Sequence, residues 1–147
     1  MKILRLALFI FLALCVTMIA AVGQELPPPG LINLLPGYHH RGEQGIDSRV
    51  GTIWKKNGLQ IHYDIGELAG NYTGCRPLCD WTDGEVWRKK QLINGQQIIC
   101  VFTNKKRLVI SFPDAHANFY ATIRTQQQLT DMLLMLFTFQ SAVPGNP

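Results

Sequence analysis

Hydrophobic and polar positions fall into three regimes along the chain. Leu6 to Val22 is apolar apart from Thr17, and it follows the basic residues Lys2 and Arg5. A positive start, a continuous apolar run and the small residues Ala21 and Gly23 have the form of a secretory leader cleaved after Gly23. From Arg49 to Ile123 the apolar positions come in short, largely alternating runs, the period of half-buried strands. From Leu129 onward they recur at three and four residues, the period of a helix.

Within the strand regime, Asn57-Gly58 is the favoured pair for a two-residue type I′ hairpin. A fold there pairs Lys56 with Leu59, Trp54 with Ile61, Thr52 with Tyr63 and Val50 with Ile65. Val50, Thr52, Trp54, Leu59, Ile61, Tyr63 and Ile65 then share one face. Residues 66–84 are rich in glycine and read as a loop. A third strand is expected over Glu85 to Ile93, turning at Asn94-Gly95 into a fourth over Gln97 to Thr103, with Trp87 opposite Phe102 and Gln91 opposite Ile98. The central Arg88-Lys89-Lys90 gives the third strand an exposed face or an edge position. Arg107 to Phe112 and Asn118 to Ile123 complete about six strands, most simply as an antiparallel meander.

Thr125 followed by Gln128 has the spacing of a capping box. The helix behind it runs to about Gln140 and aligns Leu129, Met132, Leu133, Leu136, Phe137 and Gln140, with Leu134, Met135 and Phe139 widening the apolar arc. Such a helix is buried against the sheet or against another chain, so a homo-dimer through it is one expectation. The fold class is α+β: an antiparallel sheet with one C-terminal helix packed on it. The chain divides into the leader 1–23, a Pro/Gly-rich irregular arm 24–48 pinned by Leu31, Ile32, Leu34 and Leu35, a single domain 49–141, and a tail 142–147.

Composition changes the picture once the leader is set aside. Losing Lys2 and Arg5 takes the basic residues from 14 to 12 against 10 acids, so the net charge falls from +4 to +2. That charge does not suit nucleic acid, and no stable membrane span remains after cleavage. The chain is expected outside the cytoplasm, secreted or periplasmic. Cys15 leaves with the leader, and Cys75, Cys79 and Cys100 remain for an oxidising compartment. A Cys75–Cys79 disulfide is the expected pairing, with either loop cysteine bonded to Cys100 as the alternative.

Candidate chemistry is sparse. His39, His40, His62 and His116 are scattered, and C-x3-C is not a zinc spacing. Asp80, Asp83 and Glu85 around Gly84 lack the ligand spacing of a calcium loop. Ser111, Asp114 and His116 supply triad residue types without a nucleophile elbow. No metal or cofactor is expected. Two basic runs beside an aromatic residue form the candidate binding surface: Trp87, Arg88, Lys90, Lys105 and Arg107, suited to another exported protein or an anionic envelope component. The expected function is therefore a non-catalytic exported protein, of inhibitor or accessory type, that binds another macromolecule. The alternative is a small secreted hydrolase with a site near His62, Asp64 and the 66–84 loop.

Overall fold

The computed structural model describes residues 32–45, 47–67, 69 and 81–140. The leader, Cys75 and Cys79 lie outside the described residues. Seven strands form one antiparallel sheet: β1 (Tyr38–Gln44), β2 (Arg49–Lys55), β3 (Gln60–Ile65), β4 (Glu85–Ile93), β5 (Gln96–Thr103), β6 (Arg107–Phe112) and β7 (Ala117–Thr122). The helix α1 (Gln126–Leu136) follows, so the α+β class holds with seven strands where about six were expected. The extra strand, β1, falls inside the stretch 24–48 expected to be irregular. Its alternate residues Tyr38 and His40 are buried, and its seven residues pair in continuous register with β2.

Strand order across the sheet is β1-β2-β3-β7-β6-β5-β4. Two meanders, β1 to β3 and β4 to β7, are joined by pairing of β3 with β7. In this order β3 and β4 run in the same direction with three strands between them, so the two strands that flank the joining segment lie roughly 19 Å apart across the sheet at the usual strand spacing. Where described, that segment lies on the face opposite α1: Trp81 packs on Ile99, Val101 and Val109 and sits 4.3 Å from the Tyr120 ring. Beside it, Ser111 donates to Asn118 Oδ1 (2.7 Å) and Asn118 Nδ2 donates to the Ala69 carbonyl (3.3 Å). These bonds satisfy two buried polar side chains.

The helix face of the sheet holds the core. Ile53, Ile61, Ile110 and Phe119 from the strands meet Met132, Met135 and Leu136 of α1. Thr125 caps the helix, its hydroxyl accepting from Gln128 N–H (3.2 Å), while Gln128 Oε1 reaches back to Arg124 N–H (2.8 Å). The helix ends at Leu136, earlier than its apolar spacing suggested. Tighter bonds then carry the chain from Met135 and Leu136 to Thr138 and Phe139, and Phe139 closes an aromatic cluster with Phe112 (4.6 Å) and Phe119 (5.2 Å). Phe137, expected on the buried stripe, is 38% exposed as a result.

The first hairpin corrects the expected register by one residue. Ile53 pairs with Ile61, Thr52 with His62 and Gly51 with Tyr63. Lys55 N–H bonds the Leu59 carbonyl, and Gly58 N–H bonds Lys55, so the loop has three residues with only Asn57 in the left-handed region (φ 57°). A one-residue slip turns a whole strand over: Val50, Thr52 and Trp54 face away from the core and Ile53 is fully buried. Gly51 makes this register possible. A Cβ there would collide with the Tyr63 hydroxyl and the Arg41 carbonyl, and without it the Tyr63 phenol lies across β2 to share a 2.8 Å hydrogen bond with His40 Nε2. Burial raises the Tyr63 pKa.

Candidate functional site

The sheet has two edges, and they are built differently. β1 is fastened to the body: Tyr38 hydroxyl donates to Asp131 of α1 (2.8 Å), Lys55 lies 5.5 Å from the Tyr38 ring centre, and His40 is buried against Tyr63. Burial, then the Asp131 hydrogen bond, pushes the Tyr38 pKa up. At the other edge, β4 is exposed at eight of its nine residues. Among the described residues it pairs with β5 alone, and of its side chains only Ile93 reaches the described core.

β4 begins at a bulge between Glu85 and Trp87 and ends at Asn94-Gly95, both with positive φ (52° and 76°), as a type I′ turn requires. Its pairing matches expectation, with Trp87 opposite Phe102, Arg88 opposite Val101 and Gln91 opposite Ile98. In a two-residue hairpin the flanking pair, Ile93 and Gln96, is hydrogen bonded, and bonded pairs recur at Gln91 and Lys89. The N–H and C=O groups of Arg88, Lys90 and Leu92 therefore point outward from the sheet edge. Val86, Trp87 and Leu92 are 67%, 48% and 75% exposed, three of the five large apolar side chains standing out from the described surface. The other two, Leu134 and Phe137, lie on or just after α1, and the Phe137 carbonyl is 3.5 Å from Asn94 Nδ2 at the β4–β5 turn.

The structure spreads the sequence-predicted binding residues over two faces. Trp87 has the helix-face parity, while Arg88 and Lys90 have the opposite one. Arg88 is held by Glu85, with Nη2 2.5 Å from Oε2, which raises the Arg88 pKa. Lys105 pairs with Asp83 (2.5 Å) and keeps that carboxyl below its usual range. Arg107 lies over the Trp81 ring at 5.0 Å. Lys89 and Lys90 are exposed and pair with no acid among the described residues. Sequence reasoning missed Val86, Lys89 and Leu92 as members of this surface. Their signal is an apolar residue on each side of a basic run in a strand whose edge position the charges already suggested.

The alternative site is partly assembled on the open face. His62 stacks on Tyr120 (5.5 Å) and its Nδ1 lies 3.3 Å from Thr52 Oγ1. Burial lowers the His62 pKa, and burial together with nearby Asp64 raises that of Tyr120. Ser111 is buried against Asn118, while Asp114 and His116 are exposed on the following turn, so those three triad residue types are not brought together. Cys100 is a free thiol packed against the core, its pKa raised by burial, and it forms no disulfide with a loop cysteine. No group of three metal-ligating side chains forms among the described residues. A cavity of about 570 Å³ on the open face is lined by Arg41, Glu43, Trp54 and Gln60 among others, with His39 tilted on Trp54 at 5.6 Å. Neither a family model, nor a curated protein, nor a solved structure matches this chain.

Proposed function

We propose that this protein is an exported, non-catalytic module that binds another macromolecule through the surface of β4. One observation carries the reading. The strand that contributes least to the core displays Val86, Trp87 and Leu92 beside Lys89 and Lys90. Apolar side chains on a free sheet edge are an aggregation hazard, which an edge serving only to close the sheet avoids. The leader pattern of Lys2, Arg5 and the apolar run to Val22 supports export.

The test is affinity capture from the exporting organism's own envelope or medium, with the wild-type protein beside a Trp87→Ser/Leu92→Ser variant. Both side chains are exposed, so the variant keeps a melting temperature within a few degrees of wild type. A partner identified on the wild type and lost from the variant supports the reading. Retention undiminished by the variant contradicts it.

A further inference from the structure

Resting on β4 as the contact surface, we infer that the partner docks as an extended acidic segment, which adds an eighth strand alongside β4. The outward N–H and C=O groups of Lys90 and Leu92 offer the ladder such a strand needs. Charge selects the occupant. Arg88 is engaged by Glu85, whereas Lys89 and Lys90 project to opposite faces with no acid beside them among the described residues. An incoming strand with acids at two adjacent positions meets one lysine on each face, and apolar residues on either side meet Leu92 and Val86.

The same charges argue against a second copy of the chain. Antiparallel self-pairing centred on Lys89 sets Lys89 against Lys89 and Arg88 against Lys90. Centring on Lys90 sets Lys90 against Lys90. Like charges directly opposite each other destabilise a strand pair. Centring on Gln91 avoids like charges but sets Lys90 against Leu92 and Lys89 against Ile93, so both lysines stay unmatched, whereas an acidic strand pairs both.

The probe is a blocked peptide of threonine and valine, about eight residues long, with two central glutamates; its control carries two central lysines. Backbone amide shifts and exchange are read on the 15N-labelled protein at low salt. We expect the glutamate peptide to slow exchange at Lys90 and Leu92 and to bind about tenfold tighter than the lysine peptide, a preference that shrinks as salt rises. Lys90→Pro removes an outward N–H without touching a bond to β5, so it abolishes binding while the rest of the amide spectrum is kept. Lys89→Glu/Lys90→Glu reverses the preference toward the lysine peptide.

Equal affinity for the two peptides overturns the acidic partner. Binding that leaves the Lys90 and Leu92 amides unmoved, or survives Lys90→Pro, overturns strand addition. Failure of the glutamate peptide to bind at millimolar concentration overturns the inference as a whole. In each case the capture experiment above still decides separately whether β4 is the contact surface.

Discussion

The chain turns twice on Asn-Gly, and the two hairpins are built differently. At Asn94-Gly95 both residues take positive φ, the loop has two residues, and the pairing of β4 with β5 follows from the turn. At Asn57-Gly58 only Asn57 does so, the loop has three residues, and β2 is turned over relative to what the same dipeptide suggests. The difference lies in what each outer strand must bury. β2 has neighbours on both sides and a core beneath it, so placing Ile53 opposite Ile61 outweighs the preference of the turn. β4 has nothing to bury beyond Ile93, and the turn decides alone. A turn sequence sets register only where burial does not compete.

The largest effect expected from this contrast is at Ile53. Ile53→Ala empties a fully buried position and costs about 2–5 kcal/mol of stability, whereas Leu92→Ala on β4 changes it by less than about 0.5 kcal/mol. Urea denaturation of the two variants checks this, and a larger loss from Trp54→Ala than from Ile53→Ala would restore the two-residue register. Next comes Gly51→Ala, whose Cβ meets the Tyr63 hydroxyl and the Arg41 carbonyl; overpacking of this kind costs about 1–3 kcal/mol.

The turn glycines give a smaller and sharper comparison. Gly95 sits at φ 76° with nothing near its Cβ position, so Gly95→Ala costs about 1–2 kcal/mol from backbone strain alone. Gly58 is outside the left-handed region and its added Cβ would lie 3.2 Å from Lys55 Cβ, so Gly58→Ala costs less. Thermal melts of the pair separate the two turn types; equal losses would mean that both are type I′.

The smallest effect is a pH dependence confined to the β2–β3 side. Burial holds His62 below its ordinary pKa of 6.5, so the folded protein disfavours the imidazolium. The unfolded chain takes up that proton first as the pH drops. Stability from this source is complete above pH 6.5 and is lost as the pH falls from there through the folded pKa. Melting temperatures at several pH values should show the slope in wild type and in Leu92→Ala, and a flatter one in His62→Gln.

Much of this fold is legible in the sequence, and the gaps share a cause. The bounds of β4, its pairing with β5 and the Thr125 cap rest on local chemistry and could be read directly. The face of β2, the docking of β3 on β7 and the early end of α1 depend on contacts between segments far apart in the chain. Gly51 is a plain case: its role comes from Tyr63 and Arg41, neither of them a sequence neighbour. The candidate site divides in the same way. Trp87, Arg88 and Lys90 stood out by composition, but that Arg88, Lys105 and Arg107 are already engaged by Glu85, Asp83 and Trp81 requires the tertiary structure. Val86, Lys89 and Leu92 gain their meaning from the position of β4 at the edge, which the basic run suggested as one of two options and the strand order establishes.

Residue-resolved amide exchange on the unliganded protein tests most directly the claim that β4 is held by β5 alone and offers its other side. Protection should alternate along β4, with Lys89, Gln91 and Ile93 slow and Lys90 and Leu92 close to the rate of unstructured chain, while β2 and β3 are protected throughout. Uniform protection along β4, or alternation of the opposite phase, would contradict the account.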